Sequence, residues 1–142
     1  MEPEASTAAG GVSRGLVEYT HWIYGLHALS VVIGLASAHT VVGVFLCGPP
    51  SIIAVIMNYA RRTEARGTWL ESHFRWQIRT FWYAWLWVIL TAIVSMPMML
   101  VLIGFMFWLV GMGLTGVWVI YRVARGWLAL RDGRTMPLPA AV

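Results

Sequence analysis

The residues best able to do chemistry are gathered in NYARRTEARGTWLESHFRWQIRTFW, residues 58–82. Glu71 and His73 stand two apart and could act as base and acid. Glu71 also lies four residues ahead of Arg75, the favourable order for an ion pair along a helix. At 100° per residue Glu71, Arg75 and Arg79 fall within one sector of about 80°, with Ser72 beside them. Leu70, Phe74, Ile78 and Phe81 gather on a separate face. A carboxylate already matched to a guanidinium is poorly placed as a free base, so Asn58, Glu71, His73, Arg75, Gln77 and Arg79 are expected to form a polar network or interaction site. Asn58 is open to three uses: a hydrogen bond to Gln77, one to the nearby backbone, or the lining of a substrate path.

No other stretch offers stronger chemistry. The sequence carries no phosphate loop, nucleophile elbow or paired catalytic carboxylates, so an enzymatic role is not expected. Four histidines, His21, His27, His39 and His73, raise a metal or haem reading. His21 and His27 are six apart and point about 120° from each other on a helix, so they do not chelate one ion. His27 alone suits a haem ligand, and no partner for it is evident. Met96, Met98 and Met99 could hold Cu(I) with His39 or Cys47, but methionine is also common apolar filler. No cofactor and no metal is expected.

These residues sit in a chain whose composition demands an apolar solvent. Of 142 residues, 59% are hydrophobic and 11% charged, against roughly a quarter charged in soluble domains. All ten basic residues are arginine and the net charge is +4. They cluster at the ends of apolar runs, which suits anionic lipid headgroups rather than nucleic acid. The single cysteine, Cys47, excludes an internal disulfide.

Four apolar runs predict an all-α membrane protein with four transmembrane helices and a cytoplasmic amphipathic helix between the second and third. The runs cover about Tyr19–Ala38, Val41–Tyr59, Phe81–Pro97 and Met99–Tyr121, each near the ~20 residues needed to cross a bilayer. Gly48-Pro49-Pro50 interrupts the second. Either the turn lies near His39-Thr40 and the prolines kink the second span, which is preferred, or that span begins at Pro50 and is short. Gly67 is expected to break the helix leaving the second span, with a new one from Thr68. Ser30, Gly34 and Ala38, then Gly104, Gly111 and Thr115, are small residues that let helices approach closely in lipid.

The turns near residues 40 and 97 hold no arginine, while the joint holds Arg61, Arg62, Arg66, Arg75 and Arg79 and the C-terminal side Arg122, Arg125, Arg131 and Arg134. By the positive-inside rule the joint and both termini face the cytoplasm. The start, MEPEASTAAGGVSRG, lacks the basic-then-apolar order of a secretory signal. Residues 1–18 are expected as a flexible tail, 19–125 as the transmembrane domain with its joint at 60–80, and 126–142 as a cytoplasmic tail.

The Gly48-Pro49 element, the apolar run from Ile52 to Arg62, and Glu71, His73 and Gln77 at the entrance to the third run together resemble a family of small four-span bacterial membrane proteins of unknown function. That family is distantly similar to the twenty-kilodalton inner-envelope subunit of the chloroplast protein-import (Tic) complex. The resemblance covers about residues 19–136 and implies a four-span fold in the bacterial inner membrane. It implies no reaction and no catalytic residues. The expected function is a non-enzymatic scaffold, assembly factor or accessory subunit with a membrane-protein partner or self-association. A small oligomeric pore or transporter subunit is the alternative, and a cofactor-binding electron-transfer subunit comes third.

Overall fold

The computed structural model describes residues 11–36, 41–99 and 103–137. Ala38, His39, the turn at His39-Thr40, the first ten residues and the last five lie outside the described residues. Five helices follow in order: α1 Arg14–Ala36, α2 Val41–Cys47, α3 Pro49–Ala60, α4 Leu70–Met98 and α5 Ile103–Arg131. Among the described residues no strand forms, so the all-helical expectation holds.

Successive legs of the bundle run antiparallel. The Tyr19 hydroxyl donates to Met57 O across α1 and α3, and Asn58 meets Gln77 across α3 and α4. Trp76 meets Arg122 at one end of the α4–α5 hairpin, and Thr91 faces Gly111 towards the other. The joint, the start of α1 and the end of α5 therefore share one end of the bundle.

The α4 and α5 helices are each 29 residues long, about 43 Å at 1.5 Å per residue, and both are long and apolar enough to cross a membrane. The other two runs differ from the expected full spans. Helix α1 mixes Thr20, His21, His27 and Ser30 into its apolar sequence. The second run is divided into α2 and α3, which is a break rather than a bend. Gly48 is extended there, with φ −72° and ψ 138°, because Pro49 and Pro50 have no N–H to continue the ladder. A proline fits the first turn of the helix it opens. A side chain at Gly48 would collide with the Val44 carbonyl oxygen.

The joint is a chain of tight turns over residues 61–67, closed by Gly67 at φ 75°. That left-handed value suits glycine, which has no Cβ to clash. The amphipathic helix expected between the second and third spans is not a separate element. It forms the first turns of α4, since nothing between Leu70 and Pro97 breaks the helix. At the other end, α5 runs past Arg125 to Arg131, so residues 126–131 are helical and residues 134–137 follow them against the bundle.

Two apolar clusters hold the helices. One, at the joint end, includes Leu16, Ile23, Tyr24, Ala54, Ala65, Leu70, Phe74 and Leu130. The second, deeper along the bundle, includes Val31, Val42, Phe45, Phe81, Ala84, Val119 and Val123. Beyond Ala84 and Thr115 the α4–α5 hairpin exposes large side chains such as Ile93, Phe105 and Leu114.

Candidate functional site: a buried polar network at the joint end

His73 is fully buried on the first turns of α4 and bonds on both ring nitrogens. Its Nε2 lies 2.7 Å from the Arg134 carbonyl oxygen, which only accepts, so Nε2 carries the proton. Nδ1 then accepts from the Tyr24 hydroxyl of α1 at 3.2 Å. One neutral imidazole thus ties together α1, α4 and the segment after α5. Trp69 meets the same ring edge-on at 5.6 Å. A second tie runs beside it: the Met136 N–H donates to Ser72 Oγ at 3.0 Å, and Ser72 Oγ donates to Trp69 O.

One turn further along α4, Gln77 meets Asn58. The Asn58 Nδ2 donates to Gln77 Oε1 at 2.7 Å, with both side chains buried. This is the first of the three uses that the sequence left open. Asn58 Oδ1 and Gln77 Nε2 have no partner in the chain among the described residues. Gln77 also borders a cavity of about 10 Å³ together with Tyr24, His27, Thr80 and Arg122, close to the space one water needs.

Arg122 is the residue that sequence reasoning placed only as a topology marker. Its Nε donates to Thr80 Oγ1 at 2.7 Å, Thr80 Oγ1 donates to Trp76 O, and Trp76 Nε1 donates back to Arg122 O. The guanidinium lies 3.6 Å from the Trp76 ring centre and 5.0 Å from that of Trp118. Aromatic faces attract such a cation. The two bonds between Arg122 and α4, with the Trp76 stack, fix the register of α4 against α5.

Glu71, Arg75 and Arg79 point outward from this network. Glu71 accepts from the Gly67 backbone N–H at 2.9 Å and from Arg75 Nη2 at 2.6 Å. The Gly67 bond first, then Arg75, holds its carboxyl below the usual carboxylate range. Arg79 donates to the Tyr83 hydroxyl at 3.1 Å. Beyond α5, Asp132 is lowered in the same way, chiefly by Arg134 at 2.6 Å. Glu71 and His73, the possible base and acid, therefore face different surroundings: one is at the surface and the other sealed inside.

The remaining metal-ligand candidates are apart. His27 Nδ1 is 3.1 Å from Ser51 Oγ at the start of α3, and its ring packs on Phe45 at 5.2 Å. His21 Nδ1 accepts from Trp127 Nε1 at the surface. Cys47 is exposed, as are Met96 and Met99. Among the described residues no three His, Cys, Asp or Glu side chains gather as metal ligands.

Of the six residues singled out from sequence, the structure joins Asn58 to Gln77 and Glu71 to Arg75, with His73 in its own network and Arg79 on Tyr83. Tyr24, Ser72, Trp76, Thr80 and Arg122 complete the site. The signal for Tyr24 was its position one turn from His27 on a helix face with Thr20; Arg122 had no local signal beyond its charge. No protein family, curated protein or solved structure matches the chain, so these contacts themselves carry the functional reading.

Proposed function

We propose that the chain is a four-crossing protein of the bacterial inner membrane, both termini cytoplasmic, that works as a non-enzymatic scaffold, assembly factor or accessory subunit. The α4–α5 hairpin supplies two crossings; α1 and the broken α2–α3 leg, antiparallel to each other, supply the other two. The arginine-rich end then lies at the cytoplasmic face, in keeping with the positive-inside rule. Anionic lipid headgroups and a membrane-protein partner, or a second copy of the chain, are its expected surroundings.

One observation carries the non-enzymatic part. The groups that could do chemistry at the joint are spent on ties between segments far apart in the chain: His73 on Tyr24 and Arg134, Asn58 on Gln77, Arg122 on Thr80. Buried networks of this kind rigidify a bundle and present a fixed cytoplasmic surface. The pore or transporter reading has its own support in the break at Gly48, with His27 on Ser51 beside it, since interrupted helices often border substrate paths.

The test starts with native membranes. Retention after alkaline carbonate washing, and cytoplasmic-side labelling of cysteines placed at Glu64 and Asp132, are expected. Extraction in mild detergent should then give a stoichiometric complex with a second membrane protein, or a defined homo-oligomer. Solute flux in vesicles holding that homo-oligomer would move the reading to the pore. Labelling of residue 64 and residue 132 from opposite sides would end the four-crossing topology.

A further inference from the structure

Beside the joint lies a cavity of about 280 Å³ bordered by Arg62, Arg66, Glu71, Arg75, Ile78 and Arg79. Four guanidinium groups meet one carboxylate there. Both Glu71 oxygens are engaged, Oε2 by the Gly67 N–H and Oε1 by Arg75. Among the described residues Arg62, Arg66 and Arg79 have no carboxylate within 4.0 Å. Three uncompensated cations around one cavity repel each other, and an anion between them offsets that repulsion. The planar guanidinium fork matches phosphate oxygens in pairs.

The surroundings of the cavity identify the rest of the ligand. Ile78 also lines the cavity, and aromatic side chains adjoin its arginines. Arg62 lies over Tyr59 at 5.8 Å, Arg79 over Tyr83 at 5.4 Å, and Trp82 Nε1 donates to Tyr59 OH at 3.0 Å across α3 and α4. Tyrosine and tryptophan favour the headgroup level. Further down, Ile56 and Leu86 are exposed, 62% and 46%, on the same two helices. Charge above, amphipathic rings at the boundary and bare apolar surface beneath are arranged like the parts of a phospholipid.

We propose that the Arg62–Arg66–Arg75–Arg79 cavity binds an anionic phospholipid whose headgroup carries two phosphate charges, either a phosphomonoester or a paired-phosphate lipid, with its acyl chains along α3 and α4. This rests on the four-crossing reading, which sets α3 and α4 in the bilayer. Basic pockets between helices on the cytoplasmic side take headgroups of this type.

The full chain, purified in detergent, is titrated separately with phosphatidic acid, diphosphatidylglycerol, phosphatidylglycerol, phosphatidylcholine and inorganic phosphate, with thermal unfolding and native mass spectrometry as readouts. Phosphatidic acid or diphosphatidylglycerol is expected to bind about tenfold more tightly than phosphatidylglycerol, with inorganic phosphate ineffective at equal concentration. Arg66→Gln with Arg79→Gln should erase that preference. Arg131→Gln, a change outside the cavity, should leave it intact. If the double variant unfolds too early to titrate, Arg66→Gln alone tests the point, since Arg66 is an exposed turn residue. Equal binding of all anionic lipids would overturn the proposal, as would a preference that survives these variants. Inorganic phosphate binding as tightly as lipid, and lost in the variants, would overturn the lipid as the source. Carbonate extraction reports separately on the membrane reading: a chain washed off the membrane fails there first.

Discussion

The two ends of the α4–α5 hairpin are held by different physics. At the joint end, Trp76, Thr80 and Arg122 exchange hydrogen bonds, and His73 and Ser72 draw in α1 and residues 134–136. At the far end the helices meet through shape. A side chain added at Gly111 would overlap Thr91, and one at Gly104 would overlap the backbone of Ser95 and Met99. Thr115 donates its hydroxyl to its own helix at Gly111 O rather than across to α4. In lipid, where apolar side chains gain little by leaving the solvent, close backbone approach is what remains to hold two helices. Hydrogen bonds give the joint end a unique geometry; small residues give the far end proximity alone.

Substitutions should separate the two modes. The largest effect is expected for His73→Ala, which leaves the Tyr24 hydroxyl and the Arg134 carbonyl unpaired. Each orphaned buried group costs about 1–3 kcal/mol, so thermal unfolding in detergent should show a loss of about 3 kcal/mol. Limited proteolysis should then cut after Arg134, which the docked segment resists in the parent. Gly111→Val should cost about 2 kcal/mol through overpacking, yet leave protection near Arg134 unchanged. If it exposes that segment as His73→Ala does, the two ends are one cooperative unit and the contrast drawn here fails.

A finer comparison comes from Tyr24→Phe, which removes one donor while keeping the ring. About 1 kcal/mol should be lost, without release of residues 134–136. The smallest effect is a matter of pH. Glu71 is held below its ordinary value, so its contribution is fully present above the unfolded pKa and fades as pH falls through the lower folded one. Acidification well below pH 4.5 should loosen the joint, seen as faster amide exchange near Gly67, while the Gly111–Thr91 contact stays unaffected. In Glu71→Gln that acid-dependent change should vanish.

Periodicity and charge made much of this legible. The i,i+4 spacing of Glu71 and Arg75 is a local rule, and the structure realises it. The two prolines marked the interruption at Gly48, but the kink preferred from sequence is a full break in the fold. Helix limits were less readable, because Arg122 and Arg125 look like a boundary by charge alone. In the fold Trp76 lies beneath both guanidinium groups, and α5 continues past them. The ties of Tyr24 to His73 and Ser72 to Met136 join residues 49 and 64 positions apart. No pattern within one helix encodes a partner at that distance. Only the antiparallel arrangement brings them together.

The docking of residues 134–136 on α4 also bears on how the chain is made. During synthesis His73 leaves the ribosome some sixty residues before the carbonyl that will accept its proton. Until then the first four helices hold an imidazole N–H, and the Ser72 hydroxyl next to it, short of their final partners. The polar face is therefore closed only after α5 has emerged, and a nascent chain cut short of Arg134 keeps it open for quality-control proteases to find.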